Sequence, residues 1–133
     1  MKLTLSKDDS LSEFASHGGG KALNLARMSQ QGVPVPPWFC ISAAAFDAFV
    51  DDNRLRDRLR PDRRLEDLDA FAAETRERFL SCELPSSMEA EIGAQLTRLG
   101  LEDRFVAIRS SGIDEDSSGH SFAGQFSSFL QQK

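Results

Sequence analysis

The residues of this chain best suited to chemistry follow an apolar run in its last quarter. Phe105–Ile108 is a four-residue apolar run typical of a buried strand, and Arg109, Ser110 and Ser111 come directly after it. An arginine offers a planar fork of donors to a phosphate, and small neighbours allow backbone N–H groups to approach the same oxygens. A strand that ends in an ordinary polar turn would have the same composition. These residues therefore indicate either a phosphate ligand or a simple turn.

A second candidate lies near the amino end, where glycines precede a helical pattern. Gly18, Gly19 and Gly20 are followed by Lys21, and the apolar spacing after them predicts a helix over Lys21–Gln31. The first N–H groups of a helix lack intrahelical partners and carry the positive end of its dipole, so they can bind an anion, and Lys21 adds a charge. The spacing matches neither of the two common glycine-rich phosphate motifs. A flexible glycine linker followed by a solvated lysine is the alternative interpretation.

The elements that must position these groups are predicted to form an α+β fold, with helices packed on a small mixed sheet. Helices are expected at Lys21–Gln31, Ser42–Val50 and Ser86–Leu99, and another helical pattern ends near Ser81. Strands are expected near residues 35–41, 105–109 and 126–131. Residues 1–16 favour a short strand or an irregular lead-in.

Helical spacing also predicts which side chains face the core. The expected apolar positions are Ala22, Leu25, Ala26 and Met28 in the first helix, Ala43, Phe46, Phe49 and Val50 in the second, and Met88, Ile92, Leu96 and Leu99 in the last. Ser86 and Glu89 have the spacing of a capping box, and Gly100 is placed to end the last helix.

Composition and charge limit the classes of partner. The 133 residues, 40% hydrophobic and 28% charged, are typical of one soluble globular domain. A net charge of −5 argues against a general binder of nucleic acids or anionic membranes, because no basic field would attract polyanions. No apolar run is long enough to span a bilayer and no signal peptide is recognisable, so the cytoplasm is the expected location.

One arginine-rich stretch could suggest nucleic-acid binding. Residues 51–64 contain six arginines and four aspartates, with Leu55 and Leu59 spaced to face inward and Pro61 placed to break a helix. The charges alternate in sign and no aromatic residues are interleaved to stack on bases. A solvated helix with Asp–Arg pairs is therefore favoured over a nucleic-acid stripe.

No metal site is expected in this chain. Residues 114–119 resemble the opening of a calcium loop, but Gln125 stands where a bidentate glutamate is required. His17 and His120 have no second ligand at a suitable spacing. Cys40 lies in an apolar segment and is expected to be a small buried hydrophobe rather than a reactive thiol.

Several segments in this order closely resemble one protein family. They are Gly19–Leu25, Gly32–Phe39, Val106–Ser111, Glu115–Asp116 and Ser121–Gln125. Together they are similar to the N-terminal ATP-binding domain of the phosphoenolpyruvate synthase and pyruvate phosphate dikinase family, a domain that rifampin phosphotransferases share. The resemblance covers nearly the whole chain, from residue 17 to residue 130.

The resemblance implies the first subdomain of an ATP-grasp nucleotide-binding domain. In such enzymes a histidine on a separate domain is phosphorylated from ATP and passes the phosphoryl group to pyruvate or another acceptor. Lys21 and Arg109 would contact the ATP phosphates, and Ser121–Gln125, with Gly124, would form a small-residue loop over them. Gly19 and Gly20 would add the glycine turn of the same cofactor site. The ligands of Mg²⁺ would come from the second subdomain, outside this chain.

Three residues and one boundary distinguish the chain from the family pattern. Ala22 stands where the family usually has glycine after the motif lysine, and Gly112 and Ile113 replace Ala-Thr. Residues 1–133 are expected to be a partial domain that lacks the second subdomain and the phosphohistidine domain. The chain alone is therefore expected to be inactive, since phosphoryl transfer depends on positioning and metal electrostatics.

The predicted function is ATP-phosphate binding within a phosphoenolpyruvate synthase-like phosphotransferase. The alternatives are an inactive interaction or regulatory module, half of a split enzyme completed by another chain, and a fragment of a rifampin phosphotransferase. An exposed apolar face where the second subdomain would sit could also support self-association.

Overall fold

The computed structural model describes residues 2–56, 68–112 and 128–132. Helices and strands alternate irregularly along this part of the chain, and the α+β class expected from the sequence is confirmed. The elements are β1 (Thr4–Leu5), α1 (Leu11–His17), α2 (Gly19–Gln30), β2 (Cys40–Ile41), α3 (Ala43–Asp52), α4 (Leu68–Ser81), α5 (Ser86–Leu99), β3 (Val106–Arg109) and β4 (Ser128–Gln132).

The first helix, α1, was not expected from the sequence. The hydroxyl of Ser10 accepts from the N–H of Glu13, and the Glu13 carboxylate accepts in return from the N–H of Ser10, which is a complete capping box. The prediction of a strand or irregular segment was therefore wrong for residues 11–16, although Thr4–Leu5 is a short strand. This helix buries Phe14 completely.

Helix α2 begins two residues earlier than predicted, at Gly19. Its neighbour Gly18 closes α1, because the Gly18 N–H donates to the carbonyl of Phe14 at 2.9 Å, and the same residue is the N-cap of α2. Ala22 and Ala26 face the core as expected, whereas Met28 is 40% exposed and does not belong to that face.

The core lies between α1, α2 and the first ladder. It is formed by the buried residues Leu5, Phe14, Ala22 and Ala26, with Leu23, Trp38 and Cys40 packed against them. The rings of Phe14 and Trp38 are 5.6 Å apart in a tilted arrangement that suits their quadrupoles. This small core fixes the start of α2 against the strands.

The described strands form two separate antiparallel ladders rather than the one mixed sheet predicted. In the first, Thr4 lies opposite Ile41 and Leu5 opposite Cys40. The predicted strand at 35–41 is reduced to its last two residues, because the prolines at 34, 36 and 37 have no N–H to donate to a ladder. In the second ladder β3 pairs with β4, with an irregularity between Val106 and Ile108.

The apolar run before Arg109 is not buried. Phe105 is 69% exposed and Ile108 is 54% exposed, so the prediction of a buried strand was wrong. Two paired strands cannot cover both of their own faces, and a buried strand needs further elements packed on it.

The remaining helices largely follow the predicted positions. Ser42 caps α3 through the N–H of Ala45, and α3 continues to Asp52. Phe46 was assigned to the core but is 52% exposed and stacks on Phe79 of α4. Residues 53–56 do not continue as the predicted solvated helix, because α3 ends at Asp52 and Arg54 has a φ of 56°.

In the described part of the arginine-rich stretch, residues 51–56, an arginine pairs with an aspartate as predicted. Arg56 donates to Asp51 at 2.8 Å, and Leu55 is buried. The rest of the arginine-rich stretch, including Leu59 and Pro61, lies outside the described residues.

Helix α5 is joined to β1 by polar contacts. The Glu91 carboxylate accepts from both the N–H and the hydroxyl of the buried residue Thr4, each at 2.9 Å. The capping box predicted for α5 is absent: Pro85 is the N-cap and there is no side-chain cap. Gly100 ends the helix in the left-handed conformation as predicted, with a φ of 68°. In the described part of the chain, no helix has the length and apolar character needed to cross a membrane.

Candidate functional site

The structure brings the two predicted cationic segments together. Gly19, Gly20 and Lys21 form the first turn of α2, and Arg109 is the last residue of β3. We call the contact of residues 18–22 with residues 109–112 the α2–β3 junction. The other predicted site residues, Ser121, Gly124 and Gln125, lie outside the described residues, as does the acidic turn considered for calcium.

Four hydrogen bonds close the junction across about ninety residues of sequence. The Lys21 ammonium donates to the carbonyl of Ser110 at 3.1 Å, and the Gly20 N–H donates to the carbonyl of Gly112 at 3.1 Å. The Ser111 hydroxyl donates to the carbonyl of Gly18 at 2.8 Å and accepts from the N–H of Ala22 at 3.1 Å.

The close approach at the junction requires glycine at position 19. Gly19 has a φ of +82°, a conformation that side chains rarely adopt. A Cβ at this position would lie 2.0 Å from the carbonyl oxygen of Ser111, which is far inside van der Waals contact. The glycine turn is thus fixed against the end of β3.

This geometry changes the two sequence-based interpretations of the glycine turn. The linker alternative is wrong, because Lys21 is half-buried and bonded to Ser110 rather than simply solvated. Two backbone donors at this helix start are occupied within the protein, because the N–H of Gly20 donates to the carbonyl of Gly112 and the N–H of Ala22 to the hydroxyl of Ser111.

The side chains of Arg109 and Ser110 complete the polar surface of the junction. Arg109 is exposed, and among the described residues its guanidinium has no hydrogen-bond or ion-pair partner. The hydroxyl of Ser110 is inaccessible to solvent and has no hydrogen-bond partner in the same set of residues. A buried hydroxyl without a partner is costly.

From the sequence, Ser110 and Ser111 are small neighbours of Arg109 with no separate role predicted for either. A pair of hydroxyl residues after a strand was the only available signal. It does not reveal that one hydroxyl bridges two backbone groups of a helix that begins about ninety residues earlier.

Cys40 lies beside the junction but is not a reactive group. Its Sγ lies 3.6 Å from the carbonyl oxygen of Gly18, and burial raises the pKa of the thiol to about 11. A thiol with this pKa stays protonated at neutral pH, which agrees with the interpretation of Cys40 as a small packing residue.

The described residues contain no group of three or more His, Cys, Asp or Glu side chains able to hold a metal ion.

Comparison with known proteins gives a consistent result. Residues 16–133 match the family model described as "Pyruvate phosphate dikinase, AMP/ATP-binding domain". The chain belongs to this family of AMP/ATP-binding domains.

Named relatives come from several organisms. A probable phosphoenolpyruvate synthase of Methanothermobacter thermautotrophicus is 37% identical over 95% of this chain and 19% of its own length. The prodigiosin synthesizing transferase PigC of Serratia marcescens is 34% identical over 84% of this chain and 12% of its own length. The rifampicin phosphotransferase of Bacillus subtilis is 31% identical over 84% of this chain and 14% of its own length.

The chain thus spans less than a fifth of the length of these curated relatives. No solved structure shows significant similarity to it.

Proposed function

We propose that the α2–β3 junction binds the phosphate groups of ATP, with Lys21 and Arg109 as its cationic ligands. The observation that carries this proposal is the bond between the Lys21 ammonium and the carbonyl of Ser110, the residue that follows Arg109. It joins the two candidate cations into one site, although 89 residues separate Lys21 from Ser110.

The donors at the junction suit a phosphate. Arg109 presents a planar fork of N–H groups that matches phosphate oxygens, and an ammonium acts beside it as a point charge. Gly19 and Gly20 contribute by shaping the turn, because the Gly20 N–H is already bonded within the protein. Ser121, Gly124 and Gln125 are proposed to close over the phosphates as the small-residue loop.

The parent activity that fits best is phosphotransfer from ATP through a histidine on another domain, as in a phosphoenolpyruvate synthase. Membership of the family and the names of its relatives support this proposal. Mg²⁺ would neutralise phosphate charge and would be held by residues outside this chain. Pyruvate, a drug hydroxyl and a glucan are all compatible acceptors, since the acceptor site would lie in other domains.

The partners of the domain would be the remaining parts of such a multidomain polypeptide. The relatives are at least five times longer than the segment they share with this chain. Half of the nucleotide site and the phosphohistidine would then be supplied from outside residues 1–133, in the same chain or in another.

A second candidate function is an interaction module or half of a split enzyme. The exposed apolar side chains of Phe105 and Ile108, close to Arg109, favour it, because large exposed apolar groups often mark contact surfaces. Self-association through this face would appear as concentration-dependent sedimentation that Phe105→Ser and Ile108→Ser together abolish.

Calorimetric titration with ATP and Mg²⁺ tests the first candidate. A dissociation constant near 1 mM, or about 4 kcal/mol, is expected for half a site. Arg109→Ala should weaken binding about tenfold or more, a loss of about 1.4 kcal/mol.

Arg104→Ala is the matched control, because Arg104 is also exposed and lies just before the same strand. It should leave the affinity unchanged. Equal affinities for the two variants, or no binding by the unmodified chain, would contradict the proposal and favour the interaction module.

A further inference from the structure

Helix α2 starts without a capping side chain of its own. Its N-cap is Gly18, which has helical rather than extended backbone angles and makes no side-chain cap. Most helices satisfy their first N–H groups with a Ser, Thr, Asp or Asn at this position.

The hydroxyl of Ser111, from a distant part of the chain, instead bonds to both ends of the first turn of α2. It donates to the Gly18 carbonyl at 2.8 Å and accepts from the Ala22 N–H at 3.1 Å. These are the two backbone groups that the first turn of a helix normally pairs with each other. One hydroxyl therefore uses both its donor and an acceptor site to attach the α2 turn to the end of β3.

The Ser111 hydroxyl thus links the segment that carries Arg109 to the segment that carries Lys21. Ser111 stands two residues after Arg109 and directly after Ser110, whose carbonyl receives the Lys21 ammonium. The two backbone groups that the Ser111 hydroxyl bonds belong to Gly18 and Ala22, and Lys21 lies between these residues in the sequence. Loss of the Ser111 hydroxyl would remove two of the four hydrogen bonds that hold the segment carrying Lys21 against the segment carrying Arg109.

We infer that Ser111 is a positioning residue, whose bridging hydroxyl sets the separation of Lys21 and Arg109 and thereby the affinity for the nucleotide phosphates. The inference rests on the proposed phosphate-binding function of the junction. Ser111 does not itself touch the ligand, because its hydroxyl is already bonded on both sides.

The hydroxyl can be removed or kept by substitution. Ser111→Ala deletes both bonds, whereas Ser111→Thr keeps the hydroxyl and adds one methyl group. Ser10→Ala is the matched control, because it removes the capping hydroxyl of α1 without touching the junction. Ser111→Cys gives an intermediate variant, since a thiol is a weaker donor and acceptor.

The first measurement follows the position of Lys21 without nucleotide. Trace acylation and mass spectrometry give the rate of modification of Lys21, with the exposed residue Lys7 as internal reference. Ser111→Ala should raise the Lys21 rate severalfold, while Ser111→Thr and Ser10→Ala should leave it near the original value. An unchanged rate in Ser111→Ala would overturn the inference.

The second measurement is the affinity of the same variants for ATP with Mg²⁺. Ser111→Ala should bind ATP about tenfold more weakly than the unmodified chain. The affinity of Ser111→Thr should be close to that of the unmodified chain, and the affinity of Ser111→Cys should lie between those of the alanine and threonine variants. If Ser111→Ala does not fold, the order of the cysteine and threonine variants still tests the proposal.

The possible failures are distinguishable. Unchanged affinity in Ser111→Ala, with ATP still bound by the unmodified chain, would overturn the positioning role and leave the proposed function intact. No ATP binding by the unmodified chain would overturn both.

Discussion

Gly19 and Ser111 are in such close contact that a single added carbon between them cannot be accommodated. A Cβ on Gly19 would lie 2.0 Å from the carbonyl oxygen and 2.6 Å from the hydroxyl of Ser111. The contact involves backbone atoms, which cannot rotate away as a flexible side chain would. It joins the start of α2 to the residues that follow β3, and so brings the segments that carry Lys21 and Arg109 together.

Gly19→Ala should therefore be strongly destabilising. The new methyl group meets backbone atoms of Ser111, and the φ of +82° is itself unfavourable for alanine. We expect a loss of about 3 kcal/mol or more in the free energy of unfolding, measured by urea denaturation.

Gly93→Ala is the control for this substitution. Gly93 lies inside α5, and a Cβ there would meet nothing within 4 Å. Alanine should stabilise the helix by up to about 1 kcal/mol. Gly19→Ala with unchanged stability would show that the close contact at the junction does not form in solution.

Phe14→Ala should remove much of the stability of the small core. The ring is fully buried and packs against Trp38, and large-to-small changes of this kind cost about 3–5 kcal/mol. Phe46→Ala is expected to cost clearly less, because that ring is 52% exposed. Equal losses in the two variants, compared by thermal or urea unfolding, would contradict the placement of the core around α1 and α2.

The stability should also fall in alkaline solution because of Cys40. Burial raises the pKa of its thiol from 9.0 to about 11 in the folded protein. The unfolded chain loses this proton first, so stability is retained below pH 9 and declines as the pH rises toward 11, by up to about 1.4 kcal/mol per pH unit.

Urea unfolding at pH values between 8 and 10.5 measures this decline. Cys40→Ala should have a flatter dependence on pH than the unmodified chain, whereas Cys82→Ala should retain the slope. Parallel curves for all three proteins would show that the Cys40 thiol is not buried as described.

Local sequence signals predicted several elements because the determinants lie within one or two turns. Ser42 caps α3 and Gly100 closes α5, as their positions in the sequence suggested. Helix α1 was overlooked although Ser10 and Glu13 have capping-box spacing, because the short segment shows little apolar periodicity. The exposure of Ile108 could not be foreseen, since an apolar run does not reveal what packs against it.

The candidate site was predictable only in part. Lys21 and Arg109 were selected by residue type, by neighbouring small residues and by resemblance to a family. The bonds that join them depend on Ser110 and Ser111, which lie 89 residues from their partners at the start of α2. No local pattern encodes such a pairing, so the bridging hydroxyl and the occupied N–H of Gly20 required the structure.

The most direct test of phosphate binding at the junction is protection of Lys21 from acylation by ligands. Excess ATP with Mg²⁺ should lower the rate of Lys21 modification severalfold and leave Lys7 unaffected. Tripolyphosphate should protect Lys21 as well, because it carries the same phosphate oxygens, whereas adenosine should not. Protection by ATP and tripolyphosphate that disappears in Arg109→Ala is the predicted result. An unchanged Lys21 rate at saturating ATP would contradict the account.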